Sequence, residues 1–180
     1  MNKILYQRIN FEFYSIFMYF CRMKKLEINL DHIDYQILRI MQNNARTNNA
    51  DIARELGMAP SAILERVKKL EQKEVILQYN AKINPAALDQ NLLSFIFIKT
   101  SDIIGEQGIA YLLAEIPEVQ EVHDIAGDDG YLIKVRTADA AGLVDLMRNT
   151  LGKIEGIIST RTTIVLETIK EEQKLVIPTV

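Results

Sequence analysis

Three cations and one small residue recur at helical spacing within one short stretch of this 180-residue sequence. The small residue is Ala62. The cations follow it at offsets of four, three and four residues, as Arg66, Lys69 and Lys73, so one helix face would carry all four side chains. A slim N-terminal end can approach base edges in a DNA groove, and cations further along can neutralise phosphates. A solvated face of an ordinary amphipathic helix explains three cations about equally well.

The residues before the cationic helix indicate a helix-turn-helix unit. Asn48 can cap a preceding helix, and Gly57 suits the left-handed position that ends it. Pro60 fits the first turn of the next helix, where its missing N–H is not needed. Ala53 and Ile63 lie four residues before and six after the glycine, a pattern that lets two helices cross closely. This spacing favours the DNA-binding interpretation over the solvated face.

A third helix is predicted upstream, beginning near Asp31. Asp31 is a candidate N-cap and Asp34 its first-turn partner, while Asn43 and Asn44 end the apolar pattern. Arg46 lies in the connection that follows, where it can meet a phosphate or pair with a neighbouring carboxylate.

A wing and a linker are predicted after the three helices. Residues 75–83 have the alternating, β-branched character of a strand that could lie beside the helices. Asn84 and Pro85 break this pattern, and residues 85–91 are typical of a linker or short turn. We therefore assign residues 30–83 to a DNA-binding domain.

The second half of the chain is predicted to be a ferredoxin-like domain over residues 92–170. Its element order is β-α-β-β-α-β, with strands at 92–100, 119–125, 131–137 and 157–169 and helices at 106–116 and 138–151. The fold class of the whole chain is then α+β, a winged helix-turn-helix domain followed by a sheet with both helices on one face. Apolar residues on both sides of the first and last strands predict that the other sheet face is buried against a second copy.

Composition limits the classes of function. A net charge of −3 excludes a protein that is basic all over, so DNA contact must come from a local patch, and a dimer or larger assembly is favoured. The single cysteine, Cys21, is typical of a reducing cytoplasm. The sequence has neither a CxxC pair nor an HExxH motif, and no metal or cofactor site is predicted.

Residues 1–22 differ from the rest, being rich in Phe and Tyr. Their apolar run is interrupted by Arg8 and Glu12 and is short for a membrane span, so no membrane partner is predicted. We treat these residues as a doubtful N-terminal extension and expect translation to start at Met23.

Four segments of the sequence resemble the leucine-responsive regulatory protein/AsnC family, the feast/famine transcription regulators. They are LDHIDYQIL, DIARELGMAPSAILERVKKLE, VHDIAGDDGYLIKVRT and STRTTIVLE, within a similarity that spans residues 30–178. The resemblance implies a sequence-specific DNA-binding regulator whose second domain senses an amino acid or related metabolite. It also implies homodimers that assemble into octamers or similar rings, with the effector bound between dimers.

The resemblance also implies site positions. Combined with the cationic pattern, it predicts DNA contacts at Arg46, Ser61, Ala62, Glu65, Arg66, Lys69 and Lys73. The implied effector-binding residues are Ala126, Gly127, Asp128, Asp129, Thr160 and Thr162. A glycine-containing turn can offer backbone N–H groups to a carboxylate, and a nearby aspartate can hold an ammonium group. The same Asp-Asp-Gly sequence is equally an ordinary hairpin turn.

Three residues depart from the family's pattern. Gly130 stands where an aspartate is common, which leaves the ammonium-binding carboxylate to Asp128 or Asp129. Ala59 replaces a common N-cap serine, at an expected cost of about 0.5–2 kcal/mol. Glu74 replaces a helix-ending glycine, so we expect a strained or differently built turn there.

Two other functions fit the same architecture. Some proteins of this build resemble siroheme decarboxylases, but here Trp is absent and His123 is the only histidine of the second domain, without a paired acid and base. An architectural DNA-binding protein that senses no small molecule is the other alternative, and the missing acid at Gly130 keeps it open.

Overall fold

A computed structural model of the chain describes residues 28–101 and 108–179. These form two compact units, one of residues 28–82 together with 170–179, the other of residues 83–101 and 108–169. The doubtful extension, the start at Met23 and the predicted beginning of a helix at residue 106 lie outside the described residues. Among the helices within them, none is both long and apolar enough to cross a membrane.

The first unit contains the three predicted helices, α1 (His32–Asn43), α2 (Asn49–Leu56) and α3 (Pro60–Gln72). Asp31 and Asp34 form a reciprocal capping box at the start of α1, and Asn48 caps α2 through the Asp51 N–H at 2.9 Å. Gly57 ends α2 with a φ of 66°, as predicted. Packing of the three helices buries one apolar core, made of Ile37, Ile52, Ala53, Ile63, Val67 and Leu70.

The two ends of α3 lack the residues that usually stabilise helix ends. Ala59 precedes Pro60 without a side-chain hydrogen bond to the first turn. At the other end, Glu74 has a left-handed φ of 55°. Its N–H donates to the Glu71 carbonyl at 2.9 Å, and the Val75 N–H donates to the Leu70 carbonyl at 2.9 Å, which together make a Schellman motif. The expected strain at this turn is confirmed, because glycine is the residue that adopts this conformation freely.

The prediction of a strand at residues 75–83 is wrong, because these residues contain no strand. Val75 and Ile76 pack against the core of the first unit, but Leu77 is 81% exposed. A strand needs a hydrogen-bonded neighbour, and the described part of the chain provides none here. Tyr79 instead donates its hydroxyl to the Glu71 carboxylate at 2.8 Å, and burial together with this carboxylate raises the pKa of Tyr79 to about 12. A 3-10 helix, Pro85–Leu88, follows.

The second unit is the predicted ferredoxin-like domain. Its antiparallel sheet has the strand order β2-β3-β1-β4, formed by β1 (Leu92–Thr100), β2 (Val119–Asp124), β3 (Tyr131–Thr137) and β4 (Ile157–Ile164). Helix α4 (Gly108–Ala114) precedes β2. Helix α5 (Ala140–Asp145) continues into a π-helical turn (Leu146–Thr150) and a 3-10 turn (Leu151–Lys153). The last strand ends five residues earlier than predicted, at Ile164 rather than residue 169.

The two faces of this sheet differ in burial. Ile96 and Ile98 on β1 and Ile133 on β3 are fully buried under the helices. Side chains alternate along a strand, so Phe95 and Phe97 point to the opposite face, where they are only partly buried. Within the described residues, no further layer covers this second sheet face, which carries Phe95 and Phe97.

Replacing Glu74 with glycine should stabilise the protein. A left-handed residue with a Cβ costs about 1–2 kcal/mol, and the extra chain entropy of glycine offsets about 0.5–1 kcal/mol of that gain. We expect Glu74→Gly to raise the free energy of unfolding by about 0.5–1 kcal/mol, measured by urea denaturation followed by circular dichroism. Glu74→Ala is the matched control, since it removes the charge and keeps the Cβ. Equal stability of the two variants would contradict strain as the cause.

Candidate DNA interface and effector site

The outward face of α3 presents the predicted DNA-contacting residues. Ile63, Val67 and Leu70 turn into the core, and this fixes which side of the helix faces outward. Ser61 and Glu65 are exposed near its N-terminal end. Ala62 is partly exposed beside them, and Lys69 and Lys73 are exposed further along. Lys68, which the spacing argument missed, adds an exposed cation to the same end of the helix.

Arg66 differs from the other cations because it is already paired. Its Nη1 atom donates to Asp31 Oδ2 at 2.8 Å and to Asp34 Oδ1 at 2.7 Å, and the side chain is only 31% exposed. The two carboxylates are those of the capping box of α1. The Asp34 backbone N–H, followed by Arg66, holds the pKa of Asp31 below its usual value. Arg66 therefore joins α3 to the N-terminus of α1, whatever further contact it makes with DNA.

Arg46 lies exposed in the connection between α1 and α2. Its backbone N–H donates to Asn44 Oδ1 at 3.1 Å, which holds the turn. The sequence left open that its side chain pairs with a carboxylate, but no such ion pair forms within the described residues. Its guanidinium is thus available to a phosphate.

The predicted effector loop, residues 126–129, connects β2 to β3. Ile125 donates its N–H to the Gly130 carbonyl at 3.0 Å, and the Gly130 N–H donates to the Ile98 carbonyl at 3.0 Å, so the base of the loop is bonded to β1 as well as to β2. A Cβ at Gly130 would lie 3.2 Å from Thr100 Oγ1. Glycine therefore permits a close approach here that an aspartate could make only if Thr100 moved.

Asp129 is the loop residue with a side-chain partner. Its Oδ2 accepts from Arg161 Nη2 at 3.0 Å, and the Arg161 guanidinium lies 3.9 Å from the centre of the Phe97 ring. The sequence analysis missed Arg161. Its position between two threonines of β4 was the available signal, because alternation places it on the sheet face opposite to theirs.

Thr160 and Thr162 lie on the helix-covered face of β4. They pair across the sheet with Ile98 and Ile96, and Thr162 donates its hydroxyl to Met147 Sδ at 3.4 Å. Among the described residues, the loop thus contacts Arg161 through Asp129, and it contacts neither Thr160 nor Thr162. An effector site that contains both sets of residues stays a prediction.

His123 lies on the uncovered sheet face in a surface ion-pair cluster. Its Nε2 is 3.2 Å from Glu121, which also accepts from Lys134 at 3.1 Å. Burial raises the pKa of Glu121, but the hydrogen bonds and charges of His123 and Lys134 outweigh it and hold the pKa below its usual value. This arrangement is a charge cluster of three side chains on neighbouring strands.

Two family models match the chain. The AsnC-type helix-turn-helix domain covers residues 30–71, and the Lrp/AsnC ligand binding domain covers residues 95–175. The chain belongs to the Lrp/AsnC family. It is a DNA-binding transcription regulator by family and not an enzyme, so the decarboxylase alternative is not supported.

Curated relatives and solved structures of the same family are similar to this protein over most of its chain. The leucine-responsive regulatory protein of Haemophilus influenzae is 38% identical, over 86% of this chain and 94% of its own. The structure of Escherichia coli AsnC has a TM-score of 0.76 at 28% identity, covering 84% of this chain and 100% of AsnC. A feast or famine regulatory protein from M. tuberculosis, complexed with L-methionine, has a TM-score of 0.76 at 31% identity, covering 83% of this chain and 100% of its own.

Removing the Arg66 side chain should destabilise the first unit. Arg66→Ala leaves two carboxylates of α1 without their shared cation, and we expect a loss of about 1–2 kcal/mol in the free energy of unfolding. Lys69→Ala, on the same helix face but without an ion pair, should change it by less than about 0.5 kcal/mol. Thermal and urea unfolding of both variants would measure the difference. An Arg66→Ala protein as stable as the wild type would show that the pair does not fix α3.

Proposed function

We propose that α3 inserts into the major groove of double-stranded DNA and reads the operator through its N-terminal end. The exposed position of Ser61 and Glu65 beside the small Ala62 supports base contacts at this end. Lys69 and Lys73 meet phosphates along the helix, and Arg46 meets a phosphate from the preceding connection. The observation that carries this proposal is the outward face of α3, which keeps small and cationic residues exposed while its apolar stripe is buried.

Arg66 has a double role in this proposal. A guanidinium has five N–H donors, and the bonds to Asp31 and Asp34 both come from Nη1. Its remaining donors can meet a phosphate while these bonds hold α3 in place. Arg66 is then both a predicted DNA contact and a residue that orients the rest of the reading face.

We also propose a homodimer, formed through the uncovered sheet face. Phe95 and Phe97 lie there partly exposed, and cyclic dimers are the commonest homo-oligomers. A dimer presents two copies of α3 to successive major grooves, which compensates for the modest number of cations in each copy. Assembly of dimers to octamers or similar rings, in the cytoplasm, completes this proposal.

The proposed effector is an amino acid or a related small metabolite. Its carboxylate would be held by N–H groups of the Ala126–Gly127 turn and its ammonium by Asp128 or Asp129, with Thr160 and Thr162 supplied by another part of the assembly. Support comes from the L-methionine complex of the M. tuberculosis neighbour and from the exposed Asp128 carboxylate. Effector binding between dimers would shift the assembly state or the spacing of the two α3 helices, and hence operator affinity.

The salt dependence of DNA binding tests the interface. On DNA from upstream of its own gene, Lys69→Ala and Lys73→Ala should each weaken binding and lower the slope of log affinity against log salt by about 1. Fluorescence anisotropy across a salt series measures both quantities. Lys153→Ala is the matched control, since it removes an exposed cation of the other unit. Unchanged slopes in both α3 variants would place the DNA contact elsewhere.

Thermal unfolding with a panel of amino acids tests the effector site. A ligand that binds only the folded state raises the melting temperature, and a concentration 100 times its dissociation constant adds about 2.7 kcal/mol of stability. We expect L-methionine or another panel member to stabilise the wild type, and Asp128→Asn or Asp129→Asn to abolish that effect. Asp139→Asn, at the cap of α5, is the control that should keep the response. A flat panel with intact DNA binding would favour the ligand-independent architectural alternative.

A further inference from the structure

The C-terminal tail, residues 170–179, contains neither helix nor strand but is bonded to α1. The central contact is a two-way pair between a side-chain amide and one main-chain residue. Gln42 Nε2 donates to the Leu175 carbonyl at 2.8 Å, and the Leu175 N–H donates to Gln42 Oε1 at 2.9 Å. The carboxamide thus satisfies both main-chain groups of one residue, as a neighbouring β-strand would.

Three further contacts fasten the tail on either side of this pair. Lys174 Nζ donates to Asn43 Oδ1 at 3.2 Å. The Pro178 carbonyl accepts from Arg39, and the Glu171 carbonyl accepts from Lys82. All but the Lys174 contact use main-chain groups of the tail.

Burial of the Leu175 and Val176 side chains does not explain this attachment, although Ile177 is partly buried. Leu175 is 77% exposed and Val176 is 99% exposed. At Leu175 the tail is therefore held through its main chain rather than its side chain. Loss of the Leu175 N–H should consequently release the tail, whereas loss of the Leu175 side chain should not.

The tail contacts α1 at the end opposite to the one that pairs with Arg66. Arg39, Gln42 and Asn43 lie in the C-terminal half of α1, and the carboxylates that pair with Arg66 stand at its N-terminus. The residues before the tail lead back to β4, which carries Arg161 and the two threonines. Within the described residues, the chain passes between the two units after residue 82, through the linker, and again before residue 170, through the tail.

We infer that the C-terminal tail is a strap that belongs to the DNA-binding unit, holds α1 through main-chain hydrogen bonds, and carries changes in β4 to the helix that orients α3. The second half of this inference rests on the proposed effector response. It gives Gln42 a positioning role that no DNA or effector contact requires.

Limited proteolysis of the full-length protein tests the attachment. Trypsin needs the main chain around Lys170 free in its active site, and the Glu171 carbonyl is bonded to Lys82, so we expect cleavage after Lys170 to become faster as the open population of the tail increases. Leu175→Pro removes the N–H that donates to Gln42, while Leu175→Ala keeps it and removes only an exposed side chain. We expect cleavage at least about fivefold faster in Leu175→Pro and Gln42→Ala than in the wild type, from the loss of one or two hydrogen bonds, and an unchanged rate in Leu175→Ala. Equal rates in all four proteins, with unchanged circular dichroism, would overturn the strap.

Operator binding with and without effector tests the transmission. The strap predicts that the effector-induced fold-change in operator affinity falls at least about threefold in Leu175→Pro and stays at the wild-type value in Leu175→Ala. Equal fold-changes in these two variants would overturn transmission through the tail even if the tail is attached. If no amino acid changes the operator affinity of the wild type, the proposed effector response is contradicted. Proteolysis would still decide whether the strap exists.

Discussion

One guanidinium joins the helix that is proposed to read DNA to the helix that begins its domain. Burial of Ile63, Val67 and Leu70 stabilises α3 against the core, but the hydrophobic effect has no direction and tolerates small rotations of a helix. The two bonds from Arg66 Nη1, at 2.8 and 2.7 Å, are directional and charge-assisted. Their acceptors are themselves fixed, since Asp31 and Asp34 already cap α1. The buried stripe decides which face of α3 points outward, and this directional interaction restrains the remaining rotation of the helix.

Features that depend on neighbours in the sequence could be predicted, and features that depend on distant partners could not. Asn48, Gly57 and Pro60 act within a few residues of themselves, so the ends of α2 and α3 were readable. The pairing of Arg66 joins residues 35 and 32 positions apart, and nothing local signals it. The strand prediction for residues 75–83 failed because it used only local alternation. A strand exists only when another segment completes its hydrogen bonds.

The same distinction separates the two candidate sites. The α3 face follows from one helical period and a buried stripe, so the exposure of Ser61, Glu65 and Lys69 could be predicted, whereas the exposed Lys68 was missed. The effector loop is also local, and its place between β2 and β3 was predicted. Its partner Arg161 depends instead on the register of β4 against β1, where Arg161 is paired with Phe97. Thr160 and Thr162 face the other side of the same strand, so their grouping with the loop needs contacts beyond the single chain.

Helix α1 receives an attachment at each end, and this makes it the element through which a small change can act on DNA binding. Its N-terminus holds Arg66, and its C-terminal half holds the tail through Gln42. Neither attachment has to break for α1 to respond, because each 1.4 kcal/mol of differential stability changes a binding constant about tenfold. That amount is comparable to one or two hydrogen bonds of the kind that hold the tail. A regulator built this way can alter the presentation of α3 without unfolding its core, since the core of Ile37, Ile52 and Ile63 lies between the two attachments and stays buried.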